Sequence, residues 1–134
     1  MSFEAHKELV SRGAWIIKSS FNLRCKGSFM VIDMETGAEV IPKYQILGNS
    51  SIDIVCFLAI AHILMHCQEN DVFPDIYCNS SKAFDWYKSG RCRSKIFDNE
   101  IALLVKKAES FLRTCLRPGK VKFSEYDGFD HSEI

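Results

Sequence analysis

The sequence has no excess of charge of either sign, because its 134 residues include 17 Lys and Arg against 17 Asp and Glu. Attraction of the whole molecule to nucleic acid or to acidic membranes is therefore not expected, and any such binding must come from a local patch. The sequence also lacks a CxxC pair, a repeat and a low-complexity segment, and the first of these absences argues against a zinc knuckle or thioredoxin-like site. With 47% hydrophobic and 25% charged residues, the composition is that of one compact domain.

A long apolar run is lacking as well. The longest, residues 52–67, has the length of a core helix and carries Asp53, His62 and His66, so we expect a buried helix and no association with a membrane. The first ten residues have no apolar segment typical of a secretory signal. Six cysteines without an export signal are expected to be reduced thiols, which predicts a cytoplasmic protein.

Hydrophobic periodicity predicts an α/β fold with a mixed sheet and the element order β-β-β-α-β-α-α-β. Three strands joined as a meander come first, and Glu35-Thr36-Gly37 forms a tight turn between the second and third. Serines, glycines and prolines mark the ends of the later elements. The predicted strands are 14–21, 28–33, 38–45, 72–78 and 121–123, and the predicted helices are 52–69, 80–89 and 98–114. Residues 1–12 are predicted to be a tail or short helix, 13–125 one domain, and 126–134 an acidic tail.

This order is that of the ribonuclease H fold, and three stretches agree with it in detail: GNSSIDIVCFLAIAHILMHCQEN, DIYCNSSKAFDWYKSGRCRSK and KKAESFLRTC. They resemble the central part of bacterial type 1 ribonucleases H, in which a Glu-Phe-Leu-Ala helix is followed by a Tyr-Ser-Asp-Ser strand end, a Trp-bearing helix and a Lys-rich loop. The resemblance implies a ribonuclease H-like domain over roughly residues 13–125. Members of that family cleave the RNA strand of RNA/DNA hybrids with two magnesium ions about 4 Å apart.

The resemblance also implies where the metal-binding carboxylates of the family would lie. The alignment puts Lys18, or its neighbour Ser19, at the first Asp, Cys56 at the Glu and Asn79 at the second Asp. Magnesium requires oxygen ligands, and an ammonium, a thiol and an amide cannot replace three carboxylates. We therefore expect a catalytically inactive relative without a metal cofactor. The fourth family carboxylate would correspond to Asp127 or Asp130, but the tail departs from the family pattern there.

Zinc binding by the two histidines and nucleophilic catalysis by Cys56 each have a competing structural interpretation. The spacing of His62 and His66 is suited to zinc, but the glutamate of a zinc protease is missing, so we favour two partly buried structural side chains. Cys56 beside a cation could be an activated nucleophile. We favour a small buried residue that fills the space of a lost metal site. Ser50 and Ser51 are the candidate N-caps of the helix 52–69. Asp53 lies three residues after Ser50, as in a capping box, and is expected to be part of this cap rather than to bind a metal.

Cations without anions fill the segment after the second predicted helix. In the family the matching loop and its Trp-bearing helix lie against the DNA strand and contact phosphates. The resemblance therefore implies an interface for an RNA/DNA hybrid or a duplex, while a solvated charged face is the alternative. A second basic cluster consists of Arg113, Arg117, Lys120 and Lys122. The residues predicted to contact nucleic acid are Trp86, Lys88, Arg91, Arg93 and Lys95, with Lys18 as an addition.

Three functions remain open at this point. The favoured one is a non-catalytic ribonuclease H-like protein that binds nucleic acid. The second is a protein-interaction or assembly module, because Phe3, Phe97, Phe129 and Ile134 exceed what one small core needs. The third is a magnesium enzyme with Asp53, Asp127 and Asp130 as rearranged ligands. Neither the oligomeric state nor the identity of a protein partner follows from the sequence.

Overall fold

The computed structural model describes residues 14–21, 27–46, 51–114 and 120–123. These residues form a mixed α/β structure, which confirms the predicted class, with the elements in the order β-β-β-α-β-α-α-β. Both predicted tails, residues 1–12 and 126–134, lie outside the described residues. The strands are β1 (Trp15–Phe21), β2 (Gly27–Asp33), β3 (Glu39–Ile46), β4 (Asp75–Cys78) and β5 (Lys120–Phe123). The helices are α1 (Ile52–Asn70), α2 (Ser81–Ser89) and α3 (Asn99–Thr114).

The five strands form one sheet in the order β3-β2-β1-β4-β5. β1 pairs antiparallel with β2, and β2 with β3, whereas β1 with β4 and β4 with β5 are parallel. The predicted turn follows β2, where the Asp33 carboxylate accepts a hydrogen bond of 2.8 Å from the backbone N–H of Glu35. Gly37 adopts a φ of 76° there, a left-handed conformation that favours glycine. β4 begins later than predicted because the ladder starts after Pro74, which has no backbone N–H to donate.

α1 is the central helix of the core. The hydroxyl of Ser51 caps its start by accepting a hydrogen bond of 3.3 Å from the backbone N–H of Ile54. The helix packs against β1 and β2 and also contacts α2 and α3, which explains why it is apolar nearly all round. It is longer than the apolar run because three polar residues extend it to Asn70. Its 19 residues would suffice by length and composition to cross a membrane, but 56% of its apolar window is buried inside the molecule, as is compatible with a soluble protein.

The two faces of β1 have different surroundings. Ile17 pairs with Val31 of β2, and both side chains belong to the core cluster that contains α1. Side chains alternate along a strand, so Ser19 points to the same face as Ile17, and Lys18 to the opposite face. Gly27, at the start of β2, lies so close to α1 that a Cβ there would overlap the side chain of Val55. The start of α1 is thereby held directly over the inner face of the sheet.

Candidate functional site

Two thiols meet where the start of α1 crosses the end of β4. Cys56 belongs to α1, and Cys78 is the last residue of β4. Both side chains are buried, and the two thiols are joined by a hydrogen bond. The Cys78 thiol also lies 3.9 Å from the backbone carbonyl oxygen of Ser80, to which it can donate. Two different elements therefore contribute to one small buried cluster of side chains.

Ser19 is the third member of this cluster. Its hydroxyl oxygen is buried, and the hydroxyl lies beside the Cys56 thiol. The structure thus places Ser19, the alternative register, next to Cys56. Lys18, the residue preferred by the alignment, lies half-buried on the opposite face of β1. That prediction is corrected by the pleat of the strand, which turns adjacent side chains to opposite faces.

The position predicted for Asn79 is also displaced by one residue. Asn79 is exposed, and Cys78 is the residue that contacts Cys56. The strand period contains the signal that would have indicated this, because Ile76 and Cys78 lie two residues apart and both belong to the core cluster with α1. The residues that converge are therefore Ser19, Cys56 and Cys78.

The two thiols differ in their readiness to lose a proton. A hydrogen bond with Cys78, together with burial, raises the pKa of Cys56 well above its usual range. The pKa of Cys78 is lowered, chiefly because it receives that hydrogen bond from Cys56. Cys78 therefore ionises first, and Cys56 stays protonated. A buried, protonated thiol is a poor nucleophile, in agreement with the interpretation of Cys56 as a small buried residue.

Asp53 joins the starts of two helices. Its carboxylate accepts a hydrogen bond of 2.8 Å from the hydroxyl of Ser80. That hydroxyl in turn accepts a bond of 3.0 Å from the backbone N–H of Ala83 and so caps α2. The side chain at the N-cap of α1 is that of Ser51, which confirms one of the two serines predicted for that position. The Asp53 carboxylate is occupied by this link between α1 and α2.

The cluster of Ser19, Cys56 and Cys78 does not fit the magnesium ions that the resemblance implies. Its described members supply two thiols and one hydroxyl, whereas magnesium is held mainly by carboxylates and water. Among residues 14–21, 27–46, 51–114 and 120–123, no group of three or more His, Cys, Asp or Glu side chains is arranged to hold a metal ion. Asp127 and Asp130 lie outside these ranges.

Each of the two histidines of α1 packs against aromatic rings. The centroid of the His62 ring lies 5.4 Å from that of Phe29 and 5.0 Å from that of Tyr44. His66 lies 6.1 Å from the Trp15 ring. Burial lowers the pKa of His62, and the nearby charge of His66 lowers it further. These contacts agree with the prediction that the two histidines are structural.

The basic segment after α2 presents alternate side chains to solvent. Gly90 ends α2 in a left-handed conformation with a φ of 74°, and the chain then runs toward α3. Half-buried residues separate the exposed ones, and Cys92 and Ile96 pack against the core. The backbone N–H of Cys92 donates a hydrogen bond of 2.9 Å to the Glu109 carboxylate of α3. The exposed side chains, which we call the basic strip, are those of Arg91, Arg93, Lys95 and Phe97.

Phe97 is the functional candidate that the resemblance does not supply. Its side chain is 90% exposed, the most of the large hydrophobic residues in the described part of the chain. The exposure pattern of residues 91–97 continues into it, so an exposed ring follows the exposed cations along the chain. An apolar ring beside cations is the combination that binds single strands, in which bases stack on the ring. The sequence already indicated Phe97 as an apolar residue beyond what one small core needs, but as a candidate for protein contacts rather than for nucleic acid.

Two residues predicted for the interface have other surroundings. Trp86 is buried, and its ring meets that of Phe57 edge-on at a centroid distance of 6.1 Å. Lys88 lies 3.5 Å from the Asp85 carboxylate and 4.6 Å from the centre of the Phe84 ring. The Trp86 ring is thus a core element, and the Lys88 charge is partly balanced by its own helix.

The second basic cluster is divided by the fold. Arg113 lies in the last turn of α3, and a Cβ on Gly90 would come within 3.0 Å of the aliphatic part of its side chain. Arg113 therefore adds a cation beside the start of the basic strip. Lys122 instead forms an ion pair of 3.3 Å with Asp75 of the neighbouring strand. Arg117 lies outside the described residues.

No model of a known protein family matches the chain, and a search of curated proteins finds no match.

Proposed function

We propose that this protein is a catalytically inactive ribonuclease H-like protein that binds nucleic acid through its basic strip. The observation that carries the proposal is the exposed row of Arg91, Arg93 and Lys95 beside an exposed Phe97 ring. The element order β-β-β-α-β-α-α-β, which is that of the ribonuclease H fold, supports the structural part. The buried cluster of Ser19, Cys56 and Cys78, which contains no carboxylate, supports the loss of catalysis.

The basic strip suits a phosphate backbone for electrostatic reasons. Its three cations are exposed, and Arg113 lies beside Gly90, which directly precedes the strip. Arginine donates two parallel hydrogen bonds to a phosphate, which makes Arg91 and Arg93 the stronger candidates. The molecule as a whole is neutral, so binding depends on this local patch and not on long-range attraction.

A binding measurement with matched charge changes tests the proposal. We expect a labelled RNA/DNA hybrid or DNA duplex to bind at low salt, with an affinity that EDTA does not change. Arg91→Ala combined with Arg93→Ala is expected to weaken binding by about tenfold or more. Lys43→Ala combined with Lys82→Ala removes the same charge from exposed sites outside the basic strip and is expected to leave affinity within about twofold.

Three outcomes would contradict parts of the proposal. Absence of binding at low salt, or equal losses in both double variants, would exclude the basic strip as the interface. Cleavage of the hybrid that requires magnesium and disappears in Asp53→Asn would establish the rearranged enzyme instead. Phe97→Ala distinguishes the ligand form: if the ring stacks on unpaired bases, this variant loses affinity for single strands more than for duplexes.

Exposure of Phe97 also supports the second candidate, a protein-interaction module. A large apolar side chain that projects into solvent is typical of contacts between proteins. Sedimentation of the protein with and without Phe97→Ser distinguishes the two. The assembly module is favoured if the wild-type protein self-associates and Phe97→Ser abolishes this self-association. It is favoured further if salt has no effect on nucleic-acid binding.

A further inference from the structure

A pocket of about 140 Å³ lies away from the basic strip, between α1, α3 and strands β2 and β3. Its lining is mainly apolar and includes Met65 of α1 and Ala108 of α3. One wall is aromatic and consists of Phe29, Tyr44 and His62. Tyr44 and Met65 are also partly exposed to solvent, so the pocket opens to the surface between them.

The aromatic wall is continuous. The rings of Phe29 and Tyr44 are stacked with centroids 5.4 Å apart, and the His62 ring contacts both, at 5.4 Å and 5.0 Å. Planar rings favour offset or edge-on contact with further rings at such distances. The Met65 thioether on the adjoining side is polarisable and also favours aromatic partners.

The charge at the pocket comes from Lys107. Its ammonium is the cation among the lining residues, because burial lowers the pKa of His62 and keeps its imidazole neutral at neutral pH. His66 and Glu69 also act on His62, lowering and raising its pKa respectively, with burial the larger effect. The pocket therefore combines an apolar, aromatic interior with one positive charge.

We propose that this pocket binds a small carboxylate with a single aromatic ring, with the ring against Phe29, Tyr44 and His62 and the carboxylate on Lys107. The size supports one ring, because a dry apolar cavity of about 150 Å³ accommodates benzene. Charge complementarity with Lys107 selects an anion over a neutral or cationic analogue. The proposal is independent of the nucleic-acid interface and stands whether or not the basic strip binds nucleic acid.

Titration of the whole protein with benzoate, followed by two-dimensional NMR, tests this proposal. We expect saturable shifts at Phe29, Tyr44 and His62, and binding about two- to fivefold weaker for benzyl alcohol, which lacks the charge. Lys107→Gln is expected to reduce benzoate affinity to that of benzyl alcohol. Lys106→Gln, at the exposed neighbouring lysine, is expected to leave it unchanged.

A second variant fills the pocket without altering the core. Met65 is partly exposed, so Met65→Trp is expected to fold, to occupy the opening and to abolish the benzoate shifts. Three results would overturn the proposal: no saturable shift in the wild-type protein, equal binding by the Met65→Trp variant, or a preference for benzylamine over benzoate. Equal binding of benzoate and benzyl alcohol would likewise overturn it, because the pocket would then be an apolar site in which Lys107 has no part.

Discussion

Surroundings decide the chemistry of individual cysteines in this molecule. Cys56 and Cys78 share a hydrogen bond that holds the proton on Cys56 and favours the thiolate of Cys78. Cys67 lies one turn from the end of α1. Burial alone raises its pKa to about 11. The same residue type therefore has a lowered pKa at one position and a raised pKa at two others.

Cys67 supplies a prediction on stability against pH. Its folded pKa of about 11 exceeds the ordinary value of 9.0, so the folded state retains a proton that the unfolded chain has lost. The resulting stability is present below pH 9 and is lost as the pH rises toward 11, by about 2 kcal/mol. In urea unfolding, Cys67→Ala is expected to be less stable at pH 7 but to lose less stability between pH 9 and 11. Equal pH slopes in the variant and the wild type would contradict this.

The alignment by residue type identified only part of the buried cluster of Ser19, Cys56 and Cys78. Cys56 was located by the Phe-Leu-Ala sequence that follows it, which is local information. Ser19 and Cys78 each lie one position from a residue that the alignment preferred. Because a strand turns adjacent side chains to opposite faces, an error of one residue exchanges a buried side chain for one on the other face. The face of each strand that meets α1 settles the choice, and that is a tertiary fact.

At the scale of secondary structure, the helices α1 and α2 are joined at their starts. The Asp53 carboxylate and the Ser80 hydroxyl link two elements whose joined residues lie 27 positions apart in the chain. Local patterns predicted both helices and, apart from the start of β4, the strand bounds to within one residue, since caps and periodicity act over a few residues. They did not predict which side chain would accept a hydrogen bond from the Ser80 hydroxyl, because that depends on how the helices pack.

The link between Asp53 and Ser80 predicts a coupling in stability. Ser80→Ala is expected to lower the free energy of unfolding by about 1 to 2 kcal/mol, because α2 loses its cap and Asp53 its donor. A double-mutant cycle with Asp53→Ala, followed by thermal or urea unfolding, is expected to give a coupling energy of about 1 kcal/mol. Ser51→Ala removes the cap of α1 and is expected to show no coupling with Asp53→Ala beyond a few tenths of that value. Additive effects of Asp53→Ala and Ser80→Ala would show that the hydrogen bond is energetically unimportant.

At the scale of the whole molecule, zero net charge conceals an uneven distribution. Exposed cations gather along the basic strip, and Arg113 of α3 is brought beside it by the packing against Gly90. Other cations are balanced nearby, as in the pairs of Lys88 with Asp85 and Lys122 with Asp75. Binding of a polyanion to such a local patch would have a salt dependence that reports the number of phosphate contacts in the patch.

The salt dependence of nucleic-acid binding is therefore a quantitative prediction. A plot of the logarithm of the affinity for a DNA duplex against the logarithm of salt concentration is expected to be linear. Its slope is expected to become shallower by about 1.8 in the Arg91→Ala and Arg93→Ala double variant, because each lost phosphate contact removes about 0.9. The control double variant at Lys43 and Lys82 is expected to keep the wild-type slope. A wild-type slope in the arginine variant would mean that those side chains contact no phosphate.

By itself the sequence determined the class of fold, the order of the described elements, the buried central helix and the position of the cationic segment. These properties depend on periodicity, capping and composition, which act within a few residues of one another. Only the tertiary structure decided that Ser19 and Cys78 meet Cys56, that Trp86 belongs to the core, and that an aromatic pocket opens beside Lys107. Those outcomes depend on which faces of separate elements pack together, and residues far apart in the chain establish that packing jointly.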